Sequence, residues 1–458
     1  MVAKNVLETI GNTPIVELSR TNTGMCRLFM KLENQNPGGS IKDRVGLFMI
    51  NEAEKQGIIH QGDTLVEATA GNTGIGLALV AKLKGYKLVL VIPDKMSQEK
   101  INHLRALDTE IIITRSDVGK GHPEYYQDYA RRIASERNAY YINQFENPSN
   151  PAAHEQTTAP EIWEQMEHQV DAIVVGIGSS GTITGLTRFF KKVSPQTEFI
   201  LADPKGSILA DYVNRGILRK DTGSWLVEGI GEDFIPCIAD LSMTRKAYSI
   251  SDRDSFDTVR ELLRNEGILA GSSTGTLLKA ALLYCQEQSA PKRVITLACD
   301  SGNKYLSKMY NDYWLLDHGF AESRLFGDLR DLIMRRFSDN AIVYSRPKDT
   351  LKTVYGRFKL YDISQIPVLE DEKVVGIVDE SDLLLALNSG LYTSGTLVED
   401  IMKKDLVTIS HTASTCELFQ ILDNGMVAIV EDQTGRFEGL ITRIDFINYL
   451  NRTNYYQK

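Results

Sequence analysis

The chain has 458 residues, of which 42% are hydrophobic and 24% are charged, and its formal net charge is -9. This length suffices for about three domains, or for one large enzyme core with an appended module. The negative charge argues against nucleic acid or an anionic membrane as the main partner, and no apolar run predicts a membrane span or a secretory signal. The five cysteines are scattered, without a CxxC pair or a His/Cys cluster at metal spacing. We therefore expect reduced thiols in a cytoplasmic protein and no metal site.

The first informative segment is a Gly-rich turn that leads into a helix. Residues 36–39 (Asn-Pro-Gly-Gly) predict the turn, and Ser40 is expected to be the N-cap of the helix, which places Lys42 in its first turn. The positive end of the helix dipole and burial both disfavour a protonated amine, so Lys42 is a candidate for a Schiff base with a carbonyl cofactor. If this segment is considered alone, the simpler interpretation of Lys42 is an ordinary exposed lysine. The other Gly-rich loops therefore decide whether Lys42 is a Schiff-base residue.

Short apolar runs alternate with amphipathic stretches up to about residue 312. The predicted strands include residues 87–92, 172–175, 198–202 and 293–297, and the predicted helices include residues 74–84 and 254–265. This alternation predicts an α/β fold with parallel sheets that helices cover on both faces.

Three further Gly-rich loops precede predicted helices, at residues 67–76, 176–182 and 270–276. Backbone N–H groups at a helix N-terminus attract anions, so the first loop is a candidate carboxylate site and the second a candidate phosphate site. In the first loop, Asn72 could hydrogen-bond a cofactor oxygen. In the third, Ser273 offers a neutral hydroxyl to a heterocycle nitrogen, which leaves a pyridine ring unprotonated and favours β-elimination.

The loop at residues 176–182 also permits a different interpretation. It is formally a G-x-G-x-x-G, and Asp203 lies 22 residues beyond Gly181, at the end of the next predicted strand. That pattern is typical of a nicotinamide-dependent oxidoreductase. The alternative leaves Lys42 and Asn72 without a role, and the hydroxyl-rich loop suits a compact phosphate ester better than a pyrophosphate.

The composition changes near residue 313, and two copies of one unit follow. Asp382 and Asp445 occupy equivalent positions 63 residues apart. An internal repeat of this length predicts two pseudo-symmetric α+β units. We expect a linker at residues 317–327, then repeats at residues 328–390 and 391–458.

Four segments, residues 10–14, 36–44, 69–73 and 178–182, together resemble the fold-type II pyridoxal-phosphate enzymes of the cysteine synthase/cystathionine β-synthase family. The resemblance covers residues 5 to about 316. It implies a catalytic domain at residues 1–316 with two parallel-sheet subdomains, the smaller and mobile one at roughly residues 40–145. The tandem repeat resembles the paired CBS domains of the same family.

The resemblance also implies a cofactor and a set of contacts to it. Lys42 would hold pyridoxal 5'-phosphate as a Schiff base, Asn72 would bond the ring hydroxyl oxygen, and Ser273 would face the ring nitrogen. The implied phosphate ligands are Gly178, Ser179, Ser180, Gly181 and Thr182. The implied substrate residues are Thr69, Gly71, Asn72, Thr73, Gln144, Gly229 and Glu232.

The implied reaction is a β-replacement through an enclosed aminoacrylate, with Lys42 as general base. L-Serine and L-homocysteine would give L-cystathionine and water. Within the same enzyme class, the alternative is a cysteine synthase that uses O-acetylserine and sulfide. A non-catalytic nucleotide sensor is a more remote alternative from a different class. Segments 203–209, 227–236 and 311–315 favour the cystathionine β-synthase branch, whereas residues 144–148 and 157–163 look more like cysteine synthase.

Some departures from the family leave the second substrate open. Ala70 replaces a serine that is common in the substrate loop, and Glu232 stands where the animal enzymes have tyrosine. Few residues precede Gly11 and the first histidine is His60, so we expect no haem arm and no haem. The family also implies a homodimer or a higher homo-oligomer.

The repeats differ in their predicted nucleoside element. In the second repeat, Thr442 and Asp445 form the Ser/Thr-x-x-Asp element that holds a ribose in paired CBS domains. In the first repeat, Asp382 keeps the acid, but an aspartate replaces the hydroxyl residue. We therefore expect at most one good adenosyl site, for S-adenosylmethionine, AMP or ATP, and expect its ligand to regulate the enzyme.

Overall fold

The computed structural model describes residues 2–69, 71–94, 96–119, 121–219, 221–321 and 326–455. The chain divides into two compact units, Met1–Tyr310 and Asn311–Lys458. Residues 322–325 of the expected linker lie outside the described residues. The finer subdivision into a mobile subdomain, a linker and two separately bounded repeats stays a prediction.

The first unit alternates strands with helices along most of its length. Its strands are β1 (Ile15–Glu17), β2 (Arg27–Lys31), β3 (Thr64–Ala68), β4 (Lys87–Pro93), β5 (Glu110–Thr114), β6 (Tyr140–Tyr141), β7 (Ala172–Val175), β8 (Glu198–Pro204), β9 (Thr244–Ile250) and β10 (Arg293–Leu297). Its helices are α1 (Lys42–Lys55), α2 (Asn72–Lys84), α3 (Gln98–Ala106), α4 (Tyr126–Glu136), α5 (Ser149–Ala153), α6 (Ala159–Gln165), α7 (Gly181–Val193), α8 (Leu209–Arg215), α9 (Asp252–Glu266) and α10 (Ser272–Gln286).

These strands form two sheets. The larger sheet has the order β1-β2-β10-β7-β8-β9, and all its neighbours are parallel except β1 and β2. The smaller sheet, β5-β4-β3-β6, is parallel throughout. The predicted α/β class with parallel sheets is therefore confirmed, and the four predicted strands are present. Loops that follow the carboxyl ends of parallel strands meet at one edge, which is where such folds bind ligands.

Helices α1 and α2 pack closely against each other beside the smaller sheet. Gly46 of α1 lies against the backbone of Gly76 in α2, with no space for a side chain at either position. Around this crossing, Val45, Met49, Ile75 and other apolar side chains form a buried core cluster. Because Lys42 begins α1, this core also positions the candidate Schiff-base residue.

One local prediction is wrong. Ile41, not Ser40, occupies the N-cap position of α1. The backbone of Ser40 instead pairs with Asp300 in an isolated β-bridge, so the helix starts one residue later than the capping pattern indicates. The Ser40 hydroxyl still accepts a hydrogen bond from the Lys42 N–H at 3.2 Å, and Lys42 remains in the first turn.

The second unit contains two similar α+β segments. Its helices are α11 (Asp312–Asp317), α12 (Leu351–Tyr361), α13 (Glu380–Asn388), α14 (Thr415–Asp423) and α15 (Arg443–Tyr455), and its strands are β11 (Gln365–Glu370), β12 (Lys373–Asp379), β13 (Thr408–Ser410), β14 (Ala428–Glu431) and β15 (Phe437–Ile441). In each segment a helix precedes an antiparallel strand pair, and a helix follows it. This recurring order agrees with the internal repeat that the sequence predicts.

Candidate functional site

Lys42 lies partly buried among titratable side chains. Burial is the main cause that lowers the pKa of its amine, and the nearby Cys299 and Asp300 oppose that shift. His154 also lies close by: its pKa is well below the usual value because it is buried and faces the charges of Lys42 and Arg44. A lysine in this setting loses its proton more readily than one in water, as a Schiff-base lysine requires.

The loop at residues 176–182 leads from the end of β7 into the first turn of α7, an arrangement that an anion site requires. Its Ser180 has a positive φ of 67°, and α7 then begins at Gly181, so the first backbone N–H groups of the helix are directed out of its end. The Ser180 hydroxyl is buried and has no hydrogen-bond partner among the described residues. A side chain at Gly178 would lie 2.6 Å from the carbonyl oxygen of Gly229. The first N–H groups of α7 and the Ser180 hydroxyl are therefore available to donate to a phosphate group.

The loop that follows β3 carries the predicted carboxylate residues. The Thr73 hydroxyl donates to the side-chain oxygen of Gln144 at 2.7 Å, and the Gly71 N–H donates to the Thr69 hydroxyl at 3.1 Å. Thr69, Thr73 and Gln144 are all buried. The structure therefore brings these four residues together, whereas Ala70 lies outside the described residues.

Asn150 joins the two loops, although no sequence signal pointed to it. Its buried amide nitrogen donates to the Gln144 carbonyl at 2.8 Å and to the Ser179 hydroxyl at 2.9 Å. Gly181 also contacts the Asn150 side chain so closely that a methyl group would not fit there. The predicted phosphate and carboxylate loops are thus adjacent parts of one site.

The segment after β10 completes the site and was also missed by the sequence analysis. The Asn72 amide nitrogen donates to Asp300 at 2.7 Å, and its amide oxygen accepts from Lys304 at 2.8 Å. Ser273, in the first turn of α10, lies beside Cys299, whose pKa is raised to about 12 mainly by burial. A signal was available, because Cys299 and Asp300 follow the carboxyl end of a predicted parallel strand.

Gly229 and Glu232 flank the phosphate loop. A side chain at Gly178 would lie 3.9 Å from the Glu232 carboxylate, so this acid is close to the predicted cofactor site. Burial, and secondarily the charge of Glu232, raise the pKa of Tyr126 well above its usual value. Gly229 itself is exposed and has a positive φ of 87°.

Asp203 does not have the surroundings that a dinucleotide site requires. Its side chain is fully buried, and one oxygen accepts the backbone N–H of Ala210 at 2.8 Å. Burial raises its pKa to about 6. An acid that binds a ribose must face the ligand, so Asp203 serves the fold and the sequence pattern is misleading at this point.

The two predicted nucleoside elements of the second unit differ. Both the N–H and the hydroxyl of Thr442 donate to one oxygen of Asp445, at 2.7 and 2.6 Å. In the first repeat, Lys403 forms ion pairs with Asp379 at 2.8 Å and with Asp382 at 2.9 Å. A built-in ammonium thus occupies the position next to Asp382, whereas Asp445 is paired with a hydroxyl residue.

The described residues contain no group of three or more His, Cys, Asp or Glu side chains that could hold a metal ion. In the same part of the chain, none of the helices is long and apolar enough to cross a membrane. All five cysteines are described, and each is free.

Comparison with known proteins follows the division into two units. Residues 6–300 match the family profile of pyridoxal-phosphate dependent enzymes, and residues 329–389 and 398–452 match that of the CBS domain. The chain is 35% identical over 473 residues to cystathionine beta-synthase of Dictyostelium discoideum, which covers 99% of the chain and 93% of that relative.

Two further relatives match about two thirds of the chain. Cysteine synthase 1 of Neurospora crassa is 40% identical over 321 residues, which covers 69% of the chain and 85% of that protein. The solved structure of an O-acetylserine dependent cystathionine beta-synthase from Helicobacter pylori is 36% identical, with a TM-score of 0.62, and covers 67% of the chain and 98% of that structure.

Proposed function

The chain belongs to the family of pyridoxal-phosphate-dependent enzymes and carries two CBS domains, and on that premise we propose that it condenses L-serine with L-homocysteine to L-cystathionine and water. The enzyme class itself, a pyridoxal-phosphate-dependent lyase, follows from the family and from its cystathionine beta-synthase relatives. The observation that carries the choice of substrates is the 35% identity along 99% of the chain, CBS domains included, to a cystathionine beta-synthase.

The residues present fit the cofactor. A phosphate group needs several donors. The α7 N-terminus supplies them, together with the Ser180 hydroxyl, which has no hydrogen-bond partner within the described part of the chain. An aldehyde forms a Schiff base only with a neutral amine. Burial lowers the pKa of Lys42, so a larger fraction of its amine is neutral. When bound, pyridoxal phosphate withdraws electrons from the α-carbon of an amino acid that is joined to it. Asn72 and Ser273 would contact its ring.

Residues of this protein bind the substrate and transfer the protons in the remaining steps. The loop of Thr69, Gly71 and Thr73, with Gln144, holds the serine carboxylate and so orients the α-proton towards Lys42. The Lys42 amine removes that proton as general base and, as an ammonium, returns a proton to the departing hydroxyl group, which leaves as water. The homocysteine thiol then gives up its proton to the Lys42 amine and forms the new C–S bond at the β-carbon, and the Lys42 ammonium returns a proton to the α-carbon.

A cysteine synthase activity is the second candidate, because the chain is 40% identical over 321 residues to cysteine synthase 1 of Neurospora crassa. The Helicobacter pylori protein described above combines features of both, since its name couples O-acetylserine to cystathionine formation. The leaving group and the thiol are therefore separate questions, and each needs its own assay.

A product analysis tests the proposal. Purified protein is given serine or O-acetylserine, each with homocysteine or sulfide, and the four mixtures are analysed for cystathionine and cysteine. We expect serine with homocysteine to give the highest kcat/KM, and Lys42→Ala to abolish turnover in every mixture. A higher kcat/KM for O-acetylserine with sulfide would replace the proposal by the cysteine synthase alternative.

We further propose that the second unit binds one adenosyl ligand next to Thr442 and Asp445 and thereby changes the catalytic rate. The support is the pairing of Asp445 with a hydroxyl residue, in contrast to the ion pairs that Lys403 makes with the equivalent Asp382. A ligand can regulate only if it binds one conformation more tightly than another. Turnover measured with S-adenosylmethionine, AMP and ATP tests this, and unchanged rates with all three would reject it.

Three smaller expectations complete the proposal. The protein acts as a homodimer or a higher homo-oligomer, which light scattering would check. It binds no haem, so the purified protein should lack a Soret band. Its free cysteines fit a reducing compartment, and we place it in the cytoplasm.

A further inference from the structure

Lys304 is a buried ammonium that no part of the proposed reaction uses. It lies in the turn Gly302–Tyr305, and only 7% of its surface is exposed. Its amine donates to the carbonyl oxygens of Gly38 at 3.0 Å and Gly39 at 3.1 Å. A third bond, of 2.8 Å, reaches the side-chain oxygen of Asn72. A lysine ammonium has three hydrogens, so its entire donor capacity is directed at two segments of the candidate site.

These three bonds determine which way the Asn72 amide faces. A lysine ammonium only donates, so it must face the amide oxygen, and the amide nitrogen then faces the Asp300 carboxylate, which accepts at 2.7 Å. Neither partner tolerates the flipped amide. Asp300 is held in turn by the Tyr305 hydroxyl at 2.6 Å. Asn72 therefore presents its nitrogen edge in a fixed direction, as a donor to a ring hydroxyl oxygen requires.

The other two bonds secure the turn that leads to Lys42. Gly39 has a positive φ of 75°, and its carbonyl also accepts the Ser301 N–H at 3.0 Å. Two residues later, the Ile41 N–H donates to the Cys299 carbonyl at 2.9 Å. The backbone before Lys42 is thus fastened to the segment that carries Lys304, and the Lys304 side chain extends the same connection to Asn72.

We propose that Lys304 is a positioning residue for the cofactor. Its ammonium links the Gly38–Gly39 turn to the Asn72 amide and thereby fixes the positions of Lys42 and Asn72 relative to each other, so that both can contact the cofactor at the same time. The inference rests on the cofactor role proposed above for Lys42 and Asn72. Without the ammonium, the Asn72 amide oxygen loses its donor and the Gly38–Gly39 turn loses two hydrogen bonds, so both segments can shift and bind the cofactor less tightly before any substrate is present.

The test measures cofactor binding by the full-length protein. Lys304→Met removes the charge and all donors at similar length. Lys304→Gln removes the charge but keeps an N–H donor group, in case the methionine variant does not fold. Lys292→Met is the matched control, because Lys292 is a partly buried lysine with two side-chain partners, Glu198 and Tyr284, outside the candidate site. The apo forms are titrated with pyridoxal phosphate, and the visible Schiff-base band is followed against pH.

We expect Lys304→Met to raise the dissociation constant for pyridoxal phosphate at least tenfold and to move the pH midpoint of the band, and Lys304→Gln to do so less. The control variant should stay within twofold of the unchanged protein. A purely structural lysine would lower only the melting temperature of the apo form, and that result would overturn the inference.

A double-variant comparison tests the link through Asn72. Lys304→Met should raise the dissociation constant by a smaller factor in an Asn72→Ala background, because one of its targets is already absent. An equal factor in both backgrounds would refute the link. If the unchanged protein itself forms no borohydride-reducible adduct at Lys42, the proposed function fails; if it forms one and Lys304→Met binds cofactor equally well, only this inference fails.

Discussion

The crossing of α1 and α2 allows a sharp prediction at Gly76. A methyl group at this position would lie 2.5 Å from the carbonyl oxygen of Lys42 and 3.1 Å from the Cα of Asp43. Both are backbone atoms, which cannot turn away as a flexible side chain can. Gly76→Ala therefore acts directly on the segment that holds the candidate Schiff-base lysine.

The size of the effect follows from the geometry. Ordinary contacts begin at 3.4 Å, so the Lys42 backbone must retreat by about 0.9 Å. Overpacking of this kind destabilises a protein by about 1–3 kcal/mol, whereas alanine in place of glycine within a helix stabilises it by about 1 kcal/mol. We expect a net destabilisation of up to about 2 kcal/mol. Because a misplacement of about 1 Å can lower a rate about 100-fold, we expect a larger effect on kcat/KM than on stability.

Urea unfolding and steady-state kinetics check both numbers. Gly356→Ala in α12 is the matched control, since it makes the same substitution in a helix where no atom of the described residues lies within 4 Å of the new methyl group. The control should be neutral or slightly stabilising and should leave turnover unchanged. If Gly76→Ala behaves in the same way as this control, the reasoning from close packing is wrong.

Three further predictions concern charge. Burial raises the pKa of Glu67 from 4.5 to about 8, so its contribution to stability is complete below pH 4.5 and is lost as the pH rises through 8. The unfolding free energy relative to Glu67→Gln should therefore fall from about pH 5 to 8, and a constant difference would contradict this. Glu232→Gln should raise the KM for homocysteine about tenfold but leave the KM for sulfide unchanged, since only homocysteine carries an ammonium group that the Glu232 carboxylate can attract. Equal effects on both KM values would exclude a contact between Glu232 and that ammonium group. Calorimetry should show that Asp445→Asn abolishes binding of the adenosyl ligand and that the equivalent Asp382→Asn does not, and binding that survives Asp445→Asn would refute the assignment.

The predictions that succeeded relied on local patterns. Apolar runs bounded by Gly, Pro or charged residues predicted the strands β7 and β10 with their observed bounds, because a buried parallel strand must be apolar on both faces. The start of α1 was off by one residue, since a long-range bridge between Ser40 and Asp300 competes with the local cap. The Asp203 pattern misled for a related reason: spacing along the chain cannot tell a buried acid from one that faces a ligand.

The amino-acid sequence by itself determined the α/β class, the repeat and the four Gly-rich loops, because periodicity and turn chemistry act over a few neighbouring residues. Only the tertiary structure decided which side chains support those loops. Asp300 and Lys304 lie 228 and 232 residues from Asn72, and Lys304 lies 266 residues from Gly38. Asn150 lies 29 residues from Ser179. No local pattern encodes such contacts, because packing of the sheets and helices brings these side chains together.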